Sequence, residues 1–175
     1  MYVDGNKPQY FQKPDFRFAL AALPDGEEGV RATLNVMRAI KNAYKKLPST
    51  RNFALSMIGN LPQKSFVREV HALHEFVRDR IRYVKDIAGV ETVQTPDVTL
   101  HLRAGDCDDK AVLLSTLLES TGHPTRFVAI GTTPERYSHV FVETRIGQKW
   151  IALDTTEPFA AGWRPPKIAK QMRVG

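Results

Sequence analysis

The sequence predicts an α+β fold, because its hydrophobic residues follow two different periods. They recur at helical spacing in the first half of the chain and alternate with period two near its end. Between these parts, an apolar run of helical length extends from Cys107 to Ser120. The chain has 175 residues, of which 42% are hydrophobic and 25% charged, enough for one core of ordinary size and short for two. We therefore expect one domain.

Composition and turn residues divide the chain into three parts. Residues 1–24 contain three prolines among Lys, Gln and aromatic residues, which predicts an extended N-terminal arm. Residues 25–157 are predicted to form the domain, with a helical half at 25–82 and a core at 83–157. Residues 158–175 are predicted to form a Pro-rich C-terminal tail.

Three helices are predicted in the helical half. The first begins near Asp25, has acidic residues in its first turn and continues at helical spacing until Pro48. A short second helix covers 49–58. Ser65 can cap the third helix, whose hydrophobic stripe extends to Ile81.

Two histidines on the third helix, His71 and His74, have the spacing i, i+3, so both could face one metal ion. A zinc site needs three or four ligands, and the other histidines offer no second closely spaced pair. We favour two histidines at the boundary of an amphipathic helix. No metal site and no cofactor are predicted.

The net charge of +6 belongs to the N-terminal half. Residues 1–82 carry 14 basic and 8 acidic side chains, whereas residues 83–175 carry 11 of each. Such an excess can attract nucleic acid, but it is more often a solvated helix face. Without a nucleic-acid motif or interleaved aromatic residues, nucleic-acid binding is not expected.

Cysteine count and hydropathy bear on the compartment. One cysteine allows no intramolecular disulfide, so nothing requires an oxidising environment. The N-terminus lacks the apolar region of a signal peptide, and no run approaches the roughly 18 apolar residues of a membrane span. We expect a soluble cytoplasmic protein without membrane contact.

The single cysteine, Cys107, opens the central apolar run, after a segment from 90 to 103 that is predicted to be extended or looped. Gly105 allows a tight turn, so the thiol should lie at a helix N-terminus, where backbone N–H groups and the macrodipole lower a thiol pKa from about 8.5. Alternatively, Cys107 is a small buried hydrophobe, and Asp106, Asp108 and Asp109 only complement the dipole. These carboxylates also oppose a thiolate, which then needs a cationic partner.

After this helix, alternation predicts strands over 126–130, 138–146 and 149–153. Gly147-Gln148 joins the last two and suits a type II′ hairpin turn. With that turn, Phe141 faces Asp154, which makes His139 and Asp154 diagonal neighbours within hydrogen-bond reach. The same face of the hairpin carries His139, Phe141, Trp150, Ala152 and Asp154. A slip of one residue would separate the histidine from the aspartate.

Cys107, His139 and Asp154 are therefore candidates for a catalytic triad. Thiol catalysis needs a base that takes the thiol proton and a third group that orients the base. A donor for the oxyanion is needed as well. The backbone N–H of Cys107 is one candidate, and Gln94 is a weak candidate for the other.

Four motifs extend this pattern over roughly residues 65–157: GDCDDKA (105–111), GHPTRF (122–127), SHVFVE (138–143) and WIALDTT (150–156). Together they resemble the transglutaminase-like superfamily. The resemblance implies a papain-like α+β fold, in which the cysteine-bearing helix packs on an antiparallel sheet that carries the histidine and the acid. It matches Cys107 to the nucleophile, His139 to the base and Asp154 to the third member. More loosely, residues 82–96 resemble small stand-alone members encoded in phage and prophage structural gene clusters.

The resemblance implies cysteine-dependent acyl transfer on amide bonds of a protein or peptide, through a thioester. Water as acceptor gives a peptidase or amidase, and an amine gives a cross-linking transglutaminase; we favour hydrolysis. The alternative is a phage or prophage virion or assembly protein that uses the fold structurally and has little activity. In that case, the aromatic residues of the arm over 1–24 would dock to an assembly partner, and the protein would be virion-associated.

Overall fold

The structure is a computed structural model that describes residues 26–85 and 92–175. These two ranges contain five helices and six strands. The predicted arm, the predicted helix start at Asp25 and the first two residues of the segment predicted to be extended or looped over 90–103 lie outside the described residues. The helices are α1 (Gly26–Tyr44), α2 (Pro48–Ile58), α3 (Phe66–Arg80), α4 (Pro96–Leu102) and α5 (Cys107–Ser120). The strands are β1 (Arg82–Tyr83), β2 (Ala104–Gly105), β3 (Thr125–Gly131), β4 (His139–Ile146), β5 (Lys149–Leu153) and β6 (Lys170–Val174).

The first three helices follow the predicted hydrophobic stripes. Leu34, Met37 and Ile40 of α1 are buried at the spacing that predicted this helix. Pro48 is the first residue of α2, a position where a missing N–H costs no helical hydrogen bond. Ser65 is the N-cap residue of α3, but its side chain makes no capping hydrogen bond, unlike the prediction. No helix in the described ranges combines the length and hydrophobicity of a membrane span.

Helix α4 lies in a segment that was predicted to be extended or looped. It has Pro96 at its first position and Asp97 in its first turn, and it ends at Arg103, whose φ is 50°. Seven residues are too few for a hydrophobic period to be recognised. Its first turn is held by tertiary contact, because the Tyr44 hydroxyl donates a 2.7 Å hydrogen bond to Asp97 Oδ1.

Helix α5 is the centre of the fold and has the predicted bounds. Every side chain from Asp109 to Leu118 is buried. The four other helices contact one part of its surface, and β3 and β4 contact another. A helix enclosed on nearly all sides has no clear hydrophobic stripe, which explains its all-round apolar sequence.

The main sheet is antiparallel, with the strand order β5-β4-β3-β6. In the β4–β5 hairpin Ile146 faces Lys149 and Val142 faces Leu153, which is the predicted register. Gly147 has a positive φ of 59°, and Gln148 does not have a positive φ. A type II′ turn requires a positive φ at its first central residue alone, so these angles agree with the predicted turn. The predicted α+β fold, with the cysteine-bearing helix on an antiparallel sheet, is therefore confirmed.

The end of the chain is not a tail separate from the domain. Strand β6 pairs with β3, with Val174 opposite Phe127. Met172 and Val174 contribute to the buried core. The predicted boundary at residue 157 therefore does not hold at this end, because the residues after it return to complete the sheet.

The outer face of the sheet contains a buried carboxylate. Glu143 is fully buried and accepts a 2.6 Å hydrogen bond from Nε of Arg126. Arg164 also donates to this carboxylate, and Nε of Arg173 lies 3.5 Å from it. Since Arg164 and Arg173 come from the last part of the chain, this cluster ties that part to the sheet.

Candidate active site

A capping box orients the first turn of α5, where Cys107 is the first residue. The Asp106 side chain accepts hydrogen bonds from the backbone N–H groups of Asp108 and Asp109, and the Asp109 side chain accepts from the Asp106 N–H. A Cβ on Gly105 would lie 2.6 Å from Cβ of Asp109, closer than such atoms approach in proteins. The glycine therefore allows β2 to lead directly into the helix cap. This short connection fixes the position of Cys107 at the start of α5.

His139 and Asp154 are in contact, as the hairpin register predicts. His139 Nε2 lies 2.6 Å from Asp154 Oδ2. The other carboxylate oxygen, Oδ1, accepts from the Thr156 N–H at 3.0 Å and from its hydroxyl at 2.7 Å. Burial opposes ionisation of Asp154, but the bonds from His139 and Thr156 outweigh it and lower the pKa of this carboxyl. An ionised Asp154 accepts from Nε2–H, which leaves Nδ1 of the neutral ring free to take a proton.

The thiol of Cys107 is beside the strand that carries His139. Its sulfur is within hydrogen-bonding reach of the backbone N–H of Val140, the residue after His139. The sulfur also lies 3.5 Å from Asp108 Oδ1. The sheet thus brings the cysteine and the histidine to the same end of β4.

The expected lowering of the thiol pKa is wrong. Burial, followed by the negative charges of Asp108 and Asp106, raises the pKa of Cys107 well above its ordinary value. The Val140 N–H lowers it, but by less. The carboxylates of the first turn thus oppose the helix dipole, and a thiolate here needs a nearby cation.

Gln94, the weak candidate for an oxyanion donor, is hydrogen-bonded to the first turn of α5. Its backbone N–H donates a 2.7 Å hydrogen bond to Asp109 Oδ1. Its side-chain oxygen accepts from the Thr99 hydroxyl at 3.4 Å. Because the oxygen is engaged, the amide NH₂ group is the part of the side chain left to donate.

Two buried residues near Asp154 were not recognised from the sequence as part of the site. His74 is completely buried, and its Nε2 lies 2.8 Å from the Asp154 main-chain oxygen. Lys110 is also buried, and its Nζ donates to the Ile81 main-chain oxygen at 2.7 Å. Burial lowers the pKa of Lys110 to about 8, partly offset by the charge of Asp154. His74 is a polar residue within the hydrophobic stripe of α3, and this position was the signal from which the sequence could have identified it.

Of the two histidines on α3, His74 is bonded to the Asp154 main-chain oxygen, and neither histidine belongs to a group of three potential metal ligands among the described residues. In the described ranges, the one group of three side chains able to hold a metal ion is Asp106, Cys107 and Asp108, whose ligand atoms lie within 4.8 Å of one another. The Asp106 carboxylate in this group already accepts two N–H groups of the helix cap.

Comparison of the chain with protein-family models identifies its family. The model described as the transglutaminase-like superfamily matches residues 51–155, more than half of the chain. The chain belongs to the transglutaminase-like superfamily. The matched range contains Gln94, Cys107, His139 and Asp154. The superfamily predicted from the four motifs is thus confirmed, whereas the looser likeness to phage and prophage members stays a prediction.

Solved structures share this transglutaminase-like fold at low sequence identity. A candidate cysteine protease from Cytophaga hutchinsonii is 18% identical, with a TM-score of 0.51 over 71% of this chain and 47% of that one. A candidate protease from Parabacteroides distasonis is 14% identical, with a TM-score of 0.59 over 79% and 31%. LapG of Legionella pneumophila is 17% identical, with a TM-score of 0.51 over 71% and 75%.

The chain spans about half of the Cytophaga protein and about a third of the Parabacteroides protein. No curated protein gives a significant match. The comparisons establish the fold of this transglutaminase-like chain, and the roles of its side chains have to be inferred from geometry and chemistry.

Proposed function

We propose that this transglutaminase-like domain is a cysteine-dependent hydrolase of amide bonds in peptides or proteins. Cys107 is the nucleophile, His139 the base and Asp154 the group that orients the base. The observation that carries the proposal is the 2.6 Å contact between His139 Nε2 and Asp154 Oδ2, next to the strand residue whose N–H reaches the Cys107 sulfur.

The first step is proton transfer from the Cys107 thiol to His139 Nδ1. Because burial and two carboxylates raise the pKa of Cys107, the thiolate forms together with an imidazolium that compensates its charge. Because its pKa is lowered, Asp154 is ionised and stabilises the imidazolium from the opposite side of the ring. The high thiol pKa is thus compatible with activity only if His139 supplies the cation.

The thiolate then attacks the amide carbonyl carbon, forming a C–S bond and an oxyanion. The N–H of Cys107, at the start of α5, has no acceptor within the helix and is one donor to this oxyanion. The Gln94 amide is proposed as the second. Collapse of the intermediate breaks the C–N bond, and the leaving amine takes the proton from His139 Nδ1.

A second proton transfer to His139 activates the acceptor for the thioester. Water as acceptor releases a carboxylic acid and regenerates the thiol, whereas an amine forms a new amide. Hydrolysis is favoured because the compared structures from Cytophaga and Parabacteroides are described as protease candidates. A peptide or protein substrate follows from the same descriptions.

The proposal is tested by the pH dependence of Cys107 alkylation in the wild type, His139→Ala and His139→Gln. With one cysteine in the chain, mass spectrometry reports this site alone. In the wild type we expect alkylation below pH 8. In both variants the alkylation rate at pH 7 should be lower by at least about tenfold, because a loss of His139 that raises the thiol pKa by one unit lowers the thiolate fraction tenfold. A substrate screen on casein-derived peptides follows, with Cys107→Ser as the inactive control.

Equal alkylation rates in the wild type and the His139 variants would contradict the proposal. The raised pKa of Cys107 favours a second candidate in that case, a structural or assembly protein that keeps the fold without catalysis. Cys107→Ser would then leave the protein's function in its native context unchanged.

A further inference from the structure

The aspartate of the proposed triad lies beyond the hydrogen-bonded part of its strand. Leu153 is the last residue of β5 that is paired with β4, and Asp154 follows it. Its carboxylate can orient His139 only if the main chain that carries it is held in place. The sheet ladder does not supply that support.

His74 supplies a hydrogen bond at this point. Its Nε2 lies 2.8 Å from the Asp154 main-chain oxygen, and the imidazole is completely buried. A carbonyl oxygen only accepts hydrogen bonds, so Nε2 carries the proton and Nδ1 is the unprotonated nitrogen. Within the described ranges, this buried Nδ1 has no hydrogen-bond partner.

We propose that His74 is a positioning residue for catalysis, which holds the Asp154 main chain from helix α3 so that the carboxylate stays aligned with His139. The inference rests on the proposed function, in which Asp154 orients the base. A buried nitrogen without a partner costs stability. Leucine would fill this position in the stripe of α3 without that cost, but it could not donate to the carbonyl.

The surroundings of His74 keep it a neutral donor. Burial lowers the pKa of its imidazole, the hydrogen bond to the Asp154 carbonyl and the Asp154 charge raise it, and the positive charge of Arg78 and the proximity of His71 lower it further. A proton on Nδ1 would be a buried charge without a partner. His74 therefore keeps a single tautomer while His139 cycles between its neutral and protonated forms.

Three variants of His74 separate this role from simple core packing. His74→Gln keeps a donor, because the amide nitrogen of glutamine is as many bonds from Cβ as Nε2 of histidine. His74→Asn has the same amide group but is one methylene too short, and His74→Leu has no donor. His71→Leu, one turn earlier on the same helix, is the matched control.

The first readout is the titration of the Asp154 carboxyl carbon by ¹³C NMR, which needs no substrate and no catalysis. The wild type should show a pKa below the ordinary value, in keeping with its bonds to His139 and Thr156. In His74→Leu and His74→Asn we expect the Asp154 pKa to rise by about half a unit or more, since the carboxylate loses its alignment. His74→Gln and His71→Leu should titrate like the wild type.

An ordinary Asp154 pKa in the wild type, or the same low pKa in His74→Asn and His74→Leu, would overturn the inference. If His74→Leu does not fold, the comparison of His74→Gln with His74→Asn decides alone, because both introduce the same amide.

The second readout is the rate of Cys107 alkylation at pH 7. We expect a loss of about fivefold or more in His74→Asn and recovery in His74→Gln, with unchanged circular dichroism. When a cleaved peptide is available, the loss should fall on kcat rather than KM. If alkylation in the wild type does not depend on His139, the proposed function fails, while the NMR titration still decides whether His74 positions Asp154.

Discussion

Replacing Asp108 by asparagine should make the Cys107 thiol more reactive at neutral pH. After burial, the negative charge of Asp108 is the largest cause of the raised pKa of Cys107. The substitution removes the charge and keeps the size of the side chain. Because the charge that opposes a thiolate is lost, the thiol pKa must fall.

The distance between the two groups sets the size of the effect. Sγ of Cys107 lies 3.5 Å from Oδ1 of Asp108. At this distance two unit charges interact by about 1 kcal/mol in water and about 5 kcal/mol at an effective dielectric constant of 20. Since the pair is partly buried, we expect the thiol pKa to fall by about one to three units. The thiolate fraction rises about tenfold per unit while its nucleophilicity falls, so the alkylation rate at pH 7 should increase about three- to fortyfold.

The assay is alkylation by iodoacetamide between pH 6 and pH 10, followed by mass spectrometry of the intact protein. Asp106→Asn should have a smaller effect, because Asp106 contributes less to the pKa shift and asparagine still caps the helix. Glu28→Gln, at an exposed position in α1, is the control without effect. A midpoint of the Asp108→Asn profile at or above that of the wild type, in a folded protein, would refute this electrostatic explanation.

Three further predictions concern the stability of the elements that surround the site. Glu143→Gln leaves three arginines around a buried position without their carboxylate and should lower the free energy of unfolding by about 3–5 kcal/mol; a loss below about 1 kcal/mol in urea titrations would contradict it. Burial lowers the pKa of Lys110 from 10.5 to about 8, so above pH 8 the unfolded chain binds more protons than the folded one. The stability of the wild type relative to Lys110→Met should therefore rise by up to about 3 kcal/mol between pH 7 and pH 10.5, and a difference that does not change with pH would show that folding does not lower the pKa of Lys110. Gly105→Ala places a methyl group against Asp109 and should disturb the helix cap, lowering both the melting temperature and the Cys107 alkylation rate at pH 7. Gly175→Ala, where the nearest atom to an added Cβ is 3.8 Å away, tests the same substitution without the clash.

Local chemistry explains the parts of the site that were predictable. The start of α5 at Cys107 follows from Gly105 and the apolar run after it, and both signals lie within a few residues of Cys107. The contact between His139 and Asp154 follows from a two-residue turn, because the turn type determines which residues of the hairpin face each other.

Other predictions failed where contacts come from distant parts of the chain. Strand β6 was not recognised because proline-rich residues precede it and its partner, β3, lies about 40 residues earlier. Helix α4 was not recognised because it is short and depends on a hydrogen bond from Tyr44 in α1.

The sequence by itself determined the superfamily, the α+β class and the order of three residues: a cysteine on a helix, a histidine on a strand and an aspartate directly after the next strand. These properties depend on periodicity, turns and motifs, which are local. Only the tertiary structure decided the thiol pKa, the burial of His74 and Lys110 beside Asp154, and the joining of the C-terminal residues to the sheet. Burial and electrostatic interaction depend on which segments pack together, and a helix N-terminus that favours a thiolate locally can therefore disfavour it in the folded protein.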